Sequence, residues 1–498
     1  MTKTTGADAW TDRTRRVGGH GASGLVRHWP LVLLTALLVS LLLPAAFLVA
    51  PGFLGPPPPP PAPPAPAWQQ APATLSDRQG LVSPGGPAPV PSRELLTAQV
   101  EPLLKADGEG TFTGMVQDAL TGQVLFDRGG SASRVPASNL KLLTAVAALR
   151  SLGPEHRFET RVLAGPAAGQ VVLTGGGDVL LEAGESDTEQ VLGHAGLATL
   201  AAGTVEALKG AGTTGEVKVL VDDSLFTGPA LNPAWQEGDV AAGEVAPLYP
   251  LALNSARFAP DAAGPRPQDS ALTAAEAFAA ALRTAGAAGG LTVAAGVERA
   301  PGPSAESPQT VLAKAESATV AEQVNLMLQT SDNYLAEVLG RMAALAAGMA
   351  GSNDGAAAAV RGQLADAGIL ADSTTLVDVC GLAMGNQVTA RQFTDVVRAI
   401  TSGTDSRLRE ALDGFPVAGL TGTLDTRYAD ETTVAGAGLV RAKTGTLNTV
   451  LALSGYVVDA DGRLLVFSFI GNGLTPGAAG NRAALDRAAT ALASCGCR

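Results

Sequence analysis

In the stretch VPASNLKLLTA, Val135 to Ala145, Ser138 stands three residues before Lys141, just as the chain takes up an apolar helical rhythm. One helical turn apart, the two side chains share a face, so an uncharged Lys141 amine would take the Ser138 hydroxyl proton and make that oxygen a nucleophile. The bland alternative is that Ser138 caps the helix and Lys141 points to water. Two further groups carry chemistry-bearing side chains. TSDNYLAE sets Ser331, Asp332 and Asn333 in a polar turn between helical runs, which taken alone reads as an N-cap. RAKTGTLNTVLALSGY sets Lys443, Thr444, Gly445 and Thr446 on a strand, where glycine lets a second backbone or a ligand come close; alone it reads as an edge-strand lysine beside a bulge.

Composition narrows the chemistry. The 498 residues are 46% apolar but only 4% aromatic, which fits a Val/Leu/Ala-packed globular protein of two or three units. With 34 basic against 46 acidic residues and a net charge of -12, the chain lacks the clustered cations that nucleic acid requires, and nucleic acid is excluded as a partner. Four dispersed histidines, His20, His28, His156 and His194, do not make a zinc site or a Ser-His-Asp relay, so serine chemistry here needs another base. Cys380, Cys495 and Cys497 build neither a disulfide framework nor a metal knuckle; Cys380 reads as a packed thiol, with a bridge to one tail cysteine open outside the cytoplasm.

The elements that must position these groups are set by the pattern. From Pro30 to Leu54 the chain is uncharged and long enough to cross a bilayer, and Arg13, Arg15, Arg16 and Arg27 precede it. The absence of a small-x-small site close behind the apolar core points to an uncleaved anchor rather than a signal peptide, and either exports the rest of the chain. PPPPPPAPPAPA then begins an extended stalk. Thr111 to Arg128 reads as a hairpin turning at Leu-Thr-Gly, and it leads into a helix that opens at Ser138 and stops at Gly153. GGGD, Gly175 to Asp178, lacks a phosphate-loop pattern and reads as a tight turn between two strands. Strands at both ends of a chain with a helical middle predict one sheet built by both termini, with a further unit inserted.

Ser-x-x-Lys, Ser-x-Asn and Lys-Thr-Gly in this order form the set found in penicillin-binding proteins and β-lactamases. With LGPEHRFETRV, LTGGGDVLL, DDSLFTGPALNPAW and FPVAGLTGTLDTRY, the chain from about Val100 onward resembles the D-alanyl-D-alanine carboxypeptidase/endopeptidase family of low-molecular-mass class C penicillin-binding proteins. The roughly 190 residues between Ser138 and Ser331 resemble the long insertion of that family. The resemblance implies an α/β (α+β) fold: a β-lactamase/transpeptidase-like domain with an antiparallel sheet flanked by helices and an inserted α+β domain. The boundaries expected are 1–29 for a basic cytoplasmic tail, 30–54 for a transmembrane anchor or signal segment and 55–91 for the linker. Residues 92–156 and 311–498 are expected to form the catalytic domain, and 157–310 the insert.

It further implies that Ser138 attacks a D-alanine carbonyl, Lys141 accepts its proton, and Ser331 relays a proton to the leaving amine. Asn333 would hold the substrate amide or Lys141, while Lys443, Thr444 and Thr446 meet the terminal carboxylate beside Gly445. The N–H groups of Ser138 and Thr446 would form the oxyanion hole. Partial burial and the charge of Lys443 are expected to depress the Lys141 pKa. No metal or organic cofactor is required. The partners implied are peptidoglycan stem peptides and β-lactam antibiotics, met outside the cytoplasm, with the membrane reached through the N-terminal segment. The family's Asp-Gly-Ser-Gly-Leu-Ser loop is DVCGLAMGN here, with Cys380 and Ala383 replacing serines and Met384 where a basic residue often comes next, which changes a wall of the expected cleft. Two rival readings are a β-lactamase or serine esterase bearing the same motifs, and a wall-binding protein that has lost the chemistry.

Overall fold

Asp118 closes the first hairpin, its Oδ1 accepting from the N–H groups of Leu120 and Thr121, while Gly122 takes the left-handed conformation (φ 74°) that the turn requires. The flanking strands Thr111–Asp118 and Val124–Arg128 pair antiparallel, as the sequence predicts. The structure, a computed structural model, describes residues 88–497 apart from 261, 302–309 and 370–372. The expected tail, apolar segment 30–54 and nearly all of the linker therefore lie outside the described residues; among those described, no helix is long and apolar enough to cross a membrane.

The hairpin joins a five-stranded antiparallel sheet in the order Arg441–Leu447, Val450–Val458, Leu464–Asn472, Thr111–Asp118, Val124–Arg128. Strands from both ends of the chain thus meet at the centre, where Arg463 pairs with the fully buried Asp118. The sheet is covered on both faces, and its central strands are buried at nearly every position. Met115, Val466 and Ile470 pack into the core that contains the helices Lys141–Ser151 and Ala390–Ser402. Val116, Phe467 and Phe469 pack on the other face with Leu96 of the helix Arg93–Val100 and Leu485 and Leu492 of Ala478–Ser494. Each such side chain contributes about 1.5–3 kcal/mol on burial.

A second sheet is formed by Leu291–Val293, Gly215–Asp222, Gln170–Thr174, Glu159–Ala164 and Val311–Glu316, in that order, with Glu298–Arg299 also pairing with Gly215–Asp222. The helices Leu197–Gly210 and Ser270–Gly286 share its core. Its last strand shifts the expected boundary. Val311–Glu316 pairs antiparallel with Glu159–Ala164, and the chain leaves and returns where Phe158 and Ser317 exchange hydrogen bonds, so the excursion closes after Glu316 rather than at 310. The reading of GGGD also changes. Gln170–Thr174 is a strand, but Val179 and Leu180 beyond the glycines form no second one and pack instead into the core beneath the first sheet. At the C-terminus Cys495 and Cys497 bond to each other, which leaves Cys380 as a free, buried thiol.

Candidate active site

Ser138 lies in a 3-10 turn, Ala137–Leu140, from which the α-helix starts at Lys141 rather than at Ser138. No side chain caps this helix, so Ser138 is not its N-cap. The preceding Ala137 has φ 48°, a left-handed conformation that costs a side-chain-bearing residue about 1–3 kcal/mol and persists only where the surroundings impose it. Two contacts impose it. A Cβ on Gly445 would lie 3.0 Å from the Pro136 carbonyl oxygen, and one on Gly381 would lie 2.0 Å from that of Ala137, so two glycines let neighbouring segments press on the turn. Asn139 anchors it from below, its Nδ2 donating to Ser454 Oγ at 2.6 Å, and Ser454 Oγ donates in turn to Ser468 Oγ at 2.8 Å.

Lys141 is fully buried, not directed at water. Its Nζ lies 3.0 Å from Ser138 Oγ, 2.6 Å from Asn333 Oδ1 and 2.7 Å from the Cys380 carbonyl oxygen. Asn333 Nδ2 donates to the Glu244 carbonyl at 3.0 Å, which turns its Oδ1 toward the lysine. Two of the three neighbours are therefore pure acceptors. A neutral amine gives one N–H to each, and its lone pair is left facing the Ser138 hydroxyl.

Burial holds the Lys141 pKa below the ordinary lysine range, against the opposing pull of Cys380, Asp378, Asp332 and Glu337. Burial is complete where the sequence suggested it would be partial. Lys443, also fully buried, is held well below the ordinary range by burial first and by Lys141 second.

The helix Val320–Thr330 ends at Ser331, whose φ of 59° reverses the chain, and Asp332 then caps Asn333–Ala346 by accepting from Leu335 N–H at 2.9 Å. The capping role suggested by sequence thus falls on Asp332, which frees Ser331 and Asn333 to face the site. Lys443 Nζ donates to Ser331 Oγ at 2.9 Å and to the Thr444 carbonyl at 2.8 Å. Its strand, Arg441–Leu447, is the sheet edge. Hydrogen bonds therefore join the first motif to the second through Lys141 and the second to the third through Lys443. Ser138, Ser331, Asn333, Thr444 and Thr446 line one cleft of about 940 Å³.

Several contributors were not singled out from sequence. Thr423 Oγ1 lies 2.7 Å from Thr444 Oγ1. Glu337 sits one turn beyond Asn333, and its Oε1 accepts from the N–H groups of Val379 and Cys380, both at 2.8 Å. Asp378 accepts from Gly381 and Ala383 N–H, Asn386 Nδ2 and Trp235 Nε1. Glu337, Asp378 and Cys380 each bring one ligand atom within 4.8 Å of the others. Their hydrogen bonds are directed at the 378–386 loop, so the cluster anchors that loop instead of offering a metal site. Burial pushes the Cys380 thiol well above its usual range, which makes it the inert packed thiol expected. Met384, by contrast, is 44% exposed and lines the cleft. The available signals were TSDNYLAE, where Glu337 stands four residues after Asn333, and the leading aspartate of DVCGLA.

The chain matches the D-Ala-D-Ala carboxypeptidase 3 (S13) family over residues 96–269 and 259–492. It is 36% identical over 436 residues to carboxypeptidase DacB of Mycolicibacterium smegmatis, covering 87% of this chain and 91% of that protein. It is 30% identical over 445 residues to the D-alanyl-D-alanine carboxypeptidase of Actinomadura sp. (strain R39), covering 73% and 78%. The crystal structure of penicillin binding protein 4 (dacB) from Haemophilus influenzae superposes with a TM-score of 0.64 at 20% identity, over 79% of this chain and 97% of that one, a likeness of fold.

Proposed function

This chain belongs to the D-Ala-D-Ala carboxypeptidase 3 (S13) family and is a serine-type D-Ala-D-Ala carboxypeptidase acting on peptidoglycan stem peptides, and we propose that Ser138 is its nucleophile and Lys141 its general base. The observation that carries the assignment is the Lys141 amine, buried and held by two pure acceptors with its remaining direction on Ser138 Oγ. Ser138 Oγ bonds to the carbonyl carbon of the penultimate D-alanine as its proton passes to Lys141. The N–H groups of Ser138 and Thr446 receive the oxyanion. As the C–N bond breaks, Ser331, bridged to Lys443, passes a proton to the leaving amine, and Lys141 restores it. Water then attacks the acyl-enzyme, giving a proton to Lys141 and returning Ser138 to its hydroxyl form. Side chains and water supply every proton in this sequence.

The terminal carboxylate docks on Thr444 and Thr446 beside the Lys443 amine, which has no carboxylate partner among the described residues. The same steps open a D-alanyl cross-link when the leaving amine belongs to a second stem peptide. A β-lactam enters as an acylating mimic whose leaving group stays tethered. The uncharged Pro30–Leu54 stretch behind its four arginines supports an enzyme held by an N-terminal anchor on the outer face of the membrane, with residues 55–91 as the spacer.

Incubation with benzylpenicillin tests the assignment by intact mass. A one-to-one adduct is expected, persistent over minutes, on the proteolytic peptide that carries Ser138. An adduct on any other residue removes Ser138 from its role, and rapid turnover of the penicillin with no adduct replaces the carboxypeptidase assignment with a β-lactamase. A smaller effect is expected at Thr423. Thr423→Val removes the hydroxyl that orients Thr444 and raises KM for a D-Ala-D-Ala peptide about fivefold, while kcat stays close to wild type in steady-state assays.

A further inference from the structure

A second cavity, of about 540 Å³, adjoins the cleft and shares Glu244, Thr330, Ser331 and Asn333 with it. Asn254, Ser255, Arg257 and Arg266 also line it. Asn254, Ser255 and Ala256 have φ of 51°, 54° and 55°, three consecutive side-chain-bearing residues in the left-handed region. Such backbone is costly and is concentrated where a ligand is clamped. The turn is held by Asn254 and Ser255 N–H donating to the carbonyls of Leu181 and Val179. Arg266, 4% exposed, donates to the carbonyls of Gly243 at 2.6 Å and Ser255 at 2.8 Å.

The polar atoms of this turn are not all satisfied. Asn254 Oδ1 and Ser255 Oγ are enclosed without a hydrogen-bond partner among the described residues. Arg257 donates to the Ala262 carbonyl at 3.0 Å and has no carboxylate within ion-pair distance among the described residues. Of the acids in the same wall, Asp332 is engaged as a helix cap and Glu244 is exposed. An imposed turn, an orphaned Ser255 hydroxyl and an arginine with no carboxylate partner among the described residues converge on one cavity, and a carboxylate is the ligand group that accepts from both.

We infer that this cavity receives the leaving peptide of a D-alanyl cross-link and that Arg257 binds a carboxylate on it. The inference rests on the catalytic assignment above, in which Ser331 hands its proton to the leaving amine. The cavity meets the cleft at Ser331, so a leaving group longer than one D-alanine extends into it, while the carboxylate of a lone terminal D-alanine is taken by Thr444 and Thr446.

Arg257→Gln keeps a donor for the Ala262 carbonyl and removes only the charge. On a D-Ala-cross-linked muropeptide dimer, kcat/KM is expected to fall about tenfold, through KM. D-Ala release from an uncross-linked pentapeptide and acylation by benzylpenicillin should change less than about twofold. Parallel losses on dimer and pentapeptide, or no loss on either, overturn the assignment of Arg257. Arg257→Lys keeps the charge without the planar fork and provides a second reading, with a loss of about threefold expected on the dimer alone; an equal loss on both substrates again overturns it. Failure of the premises looks different: a wild-type enzyme that releases D-Ala but leaves the dimer intact removes the cross-link as substrate, and absence of a penicillin adduct removes the catalytic assignment itself.

Discussion

Lys141→Ala slows acylation of Ser138 by benzylpenicillin on the order of a thousandfold or more, while the protein still unfolds cooperatively. The expectation comes from the geometry of one nitrogen. Asn333 Oδ1 and the Cys380 carbonyl accept and cannot donate, so they consume the two hydrogens of a neutral amine and orient its lone pair on Ser138. Among the described residues, nothing else within hydrogen-bond distance of Ser138 Oγ can take its proton. The pH dependence has a fixed sign. Burial holds the Lys141 pKa below its ordinary value, and the base is the deprotonated form, so wild-type acylation rises with pH as Lys141 loses its proton and then levels off. The residual rate of the variant lacks that rise. Stopped-flow or mass-spectrometric acylation rates across pH check both statements. Acylation within tenfold of wild type, or a wild-type rate that falls as Lys141 deprotonates, would remove it as the base.

The residues of the candidate site were legible because their signals are local. Ser138 and Lys141 lie one turn apart, Ser331 and Asn333 share a tight turn, and Lys443 to Thr446 are contiguous, so short windows of sequence held the relevant spacing. The sheet was legible for a similar reason: apolar runs at both ends of the chain could be buried only against each other. What failed was set by contacts distant in sequence. A helix opening at Ser138 is the natural reading of VPASNLKLL, yet pressure from Gly381 and Gly445 forces Ala137 into a left-handed conformation and tightens the next residues into a 3-10 turn. Val311–Glu316 alternates like any half-buried strand, and only its pairing with Glu159–Ala164 assigns it to the second sheet.

Glu337 is the clearest instance of a residue that long-range contacts make functional, and it carries the second large expected effect. Glu337→Ala lowers the acylation rate constant on the order of 10- to 100-fold and leaves the non-covalent affinity for benzylpenicillin near wild type. Asn333 and Glu337 lie on one face of the same helix, and between them they fix both acceptors of the Lys141 amine: Asn333 directly, Glu337 by gripping the N–H groups of Val379 and Cys380, whose loop presents the Cys380 carbonyl. Its Oε2 is buried without a hydrogen-bond partner among the described residues, and burial together with Asp378 pushes the carboxyl up to about 7. A proton can therefore reside on Oε2 near neutral pH while Oε1 keeps both backbone bonds, so the grip does not depend on a full negative charge. Glu337→Gln preserves an acceptor at Oε1 and is expected to recover most of the rate, whereas Glu337→Asp, one methylene short of the two N–H groups, recovers little. Single-turnover acylation over a range of penicillin concentrations separates the rate constant from the affinity. A folded Glu337→Gln enzyme as slow as Glu337→Ala, or a Glu337→Ala enzyme at wild-type rate, would show that the loop presents Cys380 to Lys141 without this carboxyl.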